Sequence, residues 1–112
     1  MANQEVYDKV KAHLLTQNAK SISRKYGLCK YRMIRSTKRC AIGCLIPDNL
    51  YEKEMEGDAV ENLLHSYPQV KQFFVGVTPA LLIDLQKVHD CEAVKNWSRE
   101  LENIAKVYDL NP

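Results

Sequence analysis

Apolar and polar positions change period along the chain, and each change marks an element. Val6, Val10 and Leu14 recur at every fourth residue with Tyr7 and Leu15 beside them, while Lys9, Lys11 and Gln17 lie off the stripe. That period predicts a helix over 3–19, with Asn3 placed to cap it through its side-chain oxygen. From Leu28 to Met33 the pattern shifts to partial alternation. Leu28, Lys30 and Arg32 fall on one side, and Cys29, Tyr31 and Met33 on the other. Arg35-Ser36-Thr37-Lys38 reads as a turn, and an apolar run follows to Ile46. A short antiparallel hairpin pairing 28–33 with 39–43 is expected, with a buried helical turn over 40–46 as the alternative for a run this short.

Pro47 ends the apolar run, because proline can continue neither a ladder nor a helix interior. A short helix over 48–54 is expected next, its acids near its positive end, with Gly57 as the stop. Asp58 and Glu61 have capping-box spacing ahead of a helix over 59–66. The segment 70–77 reads as a strand or a further short helix. Thr78-Pro79 is a helix start, a capping hydroxyl followed by proline at the first helical position, and the helix should run to His89. Asp90 is read as the cap of a last helix, in which Val94, Trp97, Leu101, Ile104 and Tyr108 repeat at three and four. The fold expected is therefore mainly α (α+β), about five helices with one short β-hairpin. Trp97, Leu101, Ile104, Leu82, Leu85, Val10 and Leu14 should share one core floored by Cys40–Ile46.

A chain of 112 residues with 46% apolar and 27% charged residues has the makings of a single domain, 1–112. A protein of this size buries roughly two-thirds of its unfolded surface, enough for one modest core. No apolar run reaches the ~18 residues of a membrane span, and the first residues lack the apolar block of a signal peptide. A cytoplasmic location is expected. Net charge is +2, but its distribution is uneven. Positions 20–39 hold eight basic residues and no acid, and positions 48–61 hold six acids against Lys53 alone. The two blocks meet across Cys40–Gly57.

The four cysteines stand at 29, 40, 44 and 91. Cytoplasmic thiols are expected to be reduced, and CxxxC is not the CxxC pair of a zinc ribbon or thioredoxin-like site. Cys40 follows two cations, which could activate a nucleophile, yet free cysteine is among the most buried residue types, and core packing is the favoured reading. A metal set from Cys40, Cys44, His65 and His89 or Cys91 is allowed by residue type, but the spacing lacks close pairs, so no metal and no cofactor are expected. The acids from Asp48 to Glu61 read as a solvated face plus caps. Asp48 is the exception, since it directly follows a buried run. His89-Asp90 could fix an imidazole tautomer, but capping is favoured for Asp90.

The basic arm carries the functional hint. Arg24, Lys25, Lys30, Arg32, Arg35, Lys38 and Arg39 are interleaved with Tyr26 and Tyr31. Guanidinium forks grip phosphate oxygens and tyrosine faces stack on bases. No Gly-rich phosphate loop, GxSxG elbow or HExxH is found, which weighs against a standard enzyme and leaves no catalytic residue to name.

The segments EVYDKVKAHLLTQ, CAIGCLIPDNLYEKEMEG and LIDLQKVHD resemble a family of small bacteriophage and prophage proteins with a CAIGCLIPDxxYxxxMEG signature. The similarity spans nearly the whole chain, although Met33-Ile34-Arg35-Ser36-Thr37 stands where the family has a glycine-rich turn. The resemblance implies a phage accessory protein acting in the host cytoplasm. Joined to the basic arm, it leads to the expectation of a counter-defence protein that sequesters a small nucleotide-derived immune signal. Arg32, Arg35, Lys38 and Arg39 would take phosphates, Tyr31 and Tyr51 would stack, and Asp48 would hold a ribose hydroxyl or ring amine, in a pocket at a homo-oligomer interface. The alternatives are a nucleic-acid or host-protein binder using the same arm, and a small enzyme acting on a nucleotide-like molecule.

Overall fold

Helix α1, Asn3–Gln17, buries Val6, Tyr7, Val10 and Leu14, the stripe its period predicts. In this computed structural model, which describes residues 1–23 and 27–112, four more helices follow: α2 Val60–Ser66, α3 Pro68–Phe73, α4 Pro79–Cys91 and α5 Trp97–Val107. Short 3-10 turns at Lys53–Met55 and Val94–Asn96 precede α2 and α5. Arg24, Lys25 and Tyr26 of the predicted basic arm lie outside the described residues.

Helices α1, α4 and α5 pack on one another, and α2 joins α4 while pairing with α3. Their shared interior holds all seven predicted core residues. Trp97 is wholly buried and its indole N–H donates to the Glu92 carbonyl (3.2 Å). The Tyr7 hydroxyl donates to the Leu101 carbonyl (2.9 Å), so this buried phenol is satisfied where α1 meets α5. Full burial of side chains such as Leu85, Leu101 and Ile42 stabilises the fold by about 1.5–3 kcal/mol each.

The predicted hairpin is not formed. Among the described residues there is no β-strand, and the 21–40 region carries isolated antiparallel bridges at Ile22–Cys29 and Arg32–Arg39. Two physical reasons stand out. The Glu56 carboxylate takes the backbone N–H groups of Tyr31 (2.9 Å) and Arg32 (3.1 Å). Past Cys40, the chain folds into turns, with Cys44 N–H on the Cys40 carbonyl (3.1 Å) and Leu45 N–H on the Ile42 carbonyl (3.0 Å). The 40–46 run is thus the buried turn, and Cys40, Ala41, Ile42, Leu45 and Ile46 floor the core.

Other boundaries moved for local reasons. Ala2, not Asn3, is the cap of α1, while Asn3 bonds Thr78 at the start of α4. The predicted 48–54 helix is a turn after Pro47 followed by Lys53–Met55, because Glu52 is extended. Ala59 rather than Asp58 caps α2, without a side-chain bond. Gly57, with φ of 88°, does supply the left-handed stop. Of the 70–77 segment, residues 70–73 fall in α3, begun by Pro68, and residues 74–77 turn toward α4. Asp90 lies in the last turn of α4, and α5 starts seven residues later at Trp97. Among the described residues, no helix is long and apolar enough to cross a membrane.

Candidate functional site

Two polar constructions lie on either side of Tyr31. The first is centred on Arg32. Its side chain is only 16% exposed, and its guanidinium sits over the Tyr51 ring, 4.3 Å from the centroid. Nη2 donates to the Ile46 carbonyl (2.7 Å) and Nη1 pairs with Asp48 Oδ1 (2.9 Å). The Tyr51 hydroxyl donates to Glu56 Oε2 (2.5 Å), and Glu56 also holds the Tyr31 and Arg32 amides. Burial and then the Glu56 bond push the Tyr51 phenol pKa up. Arg39 Nη2 lies 3.7 Å from the same Asp48 oxygen, beyond ordinary hydrogen-bond length.

The structure thus joins Arg32, Arg39, Asp48 and Tyr51, four of the seven residues read from the sequence as ligand contacts. Asp48 is engaged with arginines and Tyr51 carries Arg32 on its ring. Arg35 is exposed and Lys38 half-buried on the outgoing loop. Tyr31 departs from expectation. Its side chain is 6% exposed and its hydroxyl donates to the Asp58 carbonyl (2.5 Å), so the ring is packed inward and is not laid out as a stacking platform.

The second construction is a cleft of about 410 Å³, within the range of small-molecule sites. Leu28–Tyr31 forms one wall, Gly57–Glu61 another, and Ile83, Gln86, Lys87 and Asp90 of α4 the third. Asp90 anchors it. Asp90 Oδ1 accepts from His89 Nδ1 (2.7 Å) and Gln86 Nε2 (3.0 Å). His89 is wholly buried, stacked on Trp97 with ring centroids 5.7 Å apart. Its Nε2 receives the Ser21 backbone N–H (2.9 Å). A backbone donor at Nε2 requires a lone pair there, so the ring proton is on Nδ1 and points at Asp90. Gln86 is fixed in turn by the Ile42 N–H on its Oε1 (3.0 Å).

Burial alone would raise the Asp90 carboxyl, but hydrogen bonds from His89, Cys29 and Gln86 outweigh it and hold the pKa below the ordinary value. The cleft therefore presents an ionised, oriented carboxylate, with Lys30 and Lys87 on the same walls. The Cys29 thiol is pushed up to about 11, first by burial and then by the Asp90 charge, so it stays protonated.

Cys29, His89 and Asp90 bring one ligand atom each within 4.8 Å of one another, a metal set by residue type that differs from the one considered from sequence. The imidazole proton argues against it. A metal on Nδ1 would put the proton on Nε2, against the Ser21 N–H, whereas a metal-bound histidine normally donates its other N–H to an acceptor. Cys40 is buried and Cys44 mostly so, and burial raises both thiols to about 12. Cys91 and His65 are exposed.

The sequence offered His89-Asp90 as a tautomer-fixing pair but favoured Asp90 as a helix cap; the structure puts it in the last turn of α4 and forms the His89 contact. The available signal was Gln86, a polar residue on the apolar face of α4, four positions before Asp90 and next to His89 on the helix surface. No family model, curated protein or solved structure matches the chain.

Proposed function

We propose that this is a phage accessory protein that counters host defence by sequestering a small nucleotide-derived signalling molecule in the host cytoplasm. The observation that carries the reading is the oriented Asp90 carboxylate in a 410 Å³ cleft that also holds Lys30 and Lys87. A carboxylate with its own donors already fixed accepts from a ribose diol or an exocyclic amine without reorganising. The ammonium groups supply charge for phosphate oxygens, and Leu28, Val60 and Ile83 supply apolar surface for a base. Arg32 and Arg39 lie outside the cleft lining and form a separate cationic point.

The raised thiols weigh against cysteine chemistry near neutral pH, since the thiolate is the nucleophile. Calorimetric titration with cyclic nucleotides and cyclic ADP-ribose isomers tests the binding. Micromolar or tighter affinity is expected for one of them, and Asp90→Asn should abolish it. No heat across that panel would overturn the reading. Denaturing the complex separates capture from turnover: the molecule should come back intact, and an altered mass would make the protein an enzyme.

A second reading, a nucleic-acid or host-protein binder, draws on the outgoing loop, where Arg35 is exposed beside Ile34, itself 90% exposed. It requires nucleic-acid affinity that falls steeply with salt, as phosphate contacts release counterions, or capture of a host protein that Arg35→Ala weakens.

A further inference from the structure

We propose that Arg32 and Arg39 form a binding point for the phosphoryl group of a small phosphoester, and that Asp48 occupies it in the ligand-free chain. The assignment does not depend on the Asp90 cleft. It reverses the part expected of Asp48, from ligand contact to internal competitor.

Three observations carry it. Arg32 is fixed before any ligand arrives. Its backbone N–H is on Glu56, its Nη2 is on the Ile46 carbonyl, and its plane rests on Tyr51, so its remaining donor direction is set. Asp48 meets it as a poor partner. A single oxygen, Oδ1, serves both arginines, at 2.9 Å from Arg32 but 3.7 Å from Arg39, and the Asp48 side chain is 84% exposed. Arginine–carboxylate pairs are strongest as bidentate forks, and this one is not. The donors also exceed the acceptors. The Arg32 Nε–H is buried without a partner, and Arg39 Nη2 stops short of hydrogen-bond length.

A tetrahedral anion suits this geometry better than a carboxylate. With three or more oxygens spread around one centre, it reaches Arg32 and Arg39 with different atoms and so closes the Arg39 gap. Asp48 is the partner that faces water, at 84% exposed, and it gives Arg32 one contact where a fork would give two, so a tetrahedral anion that displaces it gives up little. Arg35 and Lys38 lie on the chain between the two arginines and add to the positive field.

The experiment is titration of pyrophosphate into the full chain by calorimetry at fixed ionic strength. Asp48→Ala should bind pyrophosphate at least about fivefold more tightly than the unaltered protein, since it removes both a competitor and a unit of nearby like charge. Asp48→Asn should move affinity in the same direction. The double variant Asp48→Ala with Arg39→Ala should lose the gain. Glu54→Ala makes the same change in net charge at an exposed acid outside this pairing and should leave affinity as it was. An unchanged affinity in Asp48→Ala overturns the proposal, as does an equal gain in Glu54→Ala or retention of the gain without Arg39. A deoxythymidine decamer supplies the same phosphorus chemistry as a polymer of diesters. An equal gain for the decamer would overturn the assignment to small phosphoesters. Because none of these variants alters the cleft, loss of this binding point and loss of the Asp90 reading are separately visible.

Discussion

The Tyr31 carbonyl stands against Gly43, so close that a Cβ built on the glycine would lie well inside contact distance of the Tyr31 backbone. Here the loop ending at Arg32 is pressed onto the 40–46 turn, and Cys40 N–H donates to that same carbonyl (3.3 Å). The glycine of the CAIGC run is required by this close approach of two backbones. No left-handed dihedral is involved.

Gly43→Ala should therefore be among the most damaging small substitutions in the chain. The obstacle is main chain, which cannot rotate aside as a side chain would. A loss of about 3 kcal/mol is expected, at the upper end of overpacking costs. Urea unfolding followed by Trp97 fluorescence would measure it. Gly57→Ala is a useful contrast: nothing crowds that position, and the cost there comes from its φ of 88° alone.

Asp90 gives the stability a definite dependence on pH. Its carboxyl is held below the ordinary value in the folded chain, so the unfolded chain binds that proton more readily. The contribution is thus complete above the unfolded pKa of about 3.9 and is lost as pH falls through the lower folded value. Asp90→Asn should cost about 2 kcal/mol at neutral pH, since it replaces the charged acceptor of the His89 and Gln86 bonds. The gap between the two proteins should shrink on acidification below about pH 4. Chemical melts at a series of pH values would show it, and a gap that widens in acid would contradict the assignment.

The helices were legible where packing is local. The stripes of α1, α4 and α5 state their buried faces directly, and Thr78-Pro79 marks a boundary that the structure keeps. Between Ser21 and Gly57 the local signal fails, because distant side chains finish the backbone. Glu56 takes the amides that would have made Tyr31 and Arg32 a strand, and His89 takes the Ser21 amide from across the chain. Alternation around Leu28–Met33 therefore suggested a ladder that is not there. The candidate site was half legible for the same reason. Opposite charge flanking Pro47 pointed to Arg32, Arg39, Asp48 and Tyr51, which do meet. Nothing local told that Tyr31 turns inward, and although the adjacent His89 and Asp90 offered the tautomer-fixing contact that forms, capping was the reading favoured for Asp90.

The four thiols should react in an order set by exposure and pKa together. Cys91 is exposed and should be alkylated first. Cys29, raised to about 11, and Cys44, raised to about 12, should follow slowly. Cys40 is wholly buried, with the Gly43 N–H on its sulfur (3.3 Å), and should react only on unfolding. Timed iodoacetamide labelling at pH 7.5, read by peptide mass spectrometry, gives the order. Rapid labelling of Cys40 in the folded protein would contradict the buried 40–46 turn.

Asn3 shows how a cap can serve a helix other than its own. Its Oδ1 accepts the Thr78 backbone N–H (2.9 Å) and its Nδ2 donates to the Thr78 hydroxyl (3.0 Å), so the start of α1 is pinned to the start of α4. Both bonds are exposed, so their net worth is that of ordinary hydrogen bonds in water, about 1 kcal/mol together. Asn3→Ala should lower the melting temperature by about 4–8 °C, the shift that 1 kcal/mol brings in a small domain. Asn3→Asp keeps the acceptor for the Thr78 N–H, and the Thr78 hydroxyl can turn to donate to the new carboxylate oxygen, so its loss should be smaller than that of Asn3→Ala. Thr78→Val removes the hydroxyl bond alone and should cost less than Asn3→Ala, which loses both bonds. If Asn3 capped α1 instead, Thr78→Val would leave the effect of Asn3→Ala undiminished. In the double variant the two losses should be less than additive, because they share a bond.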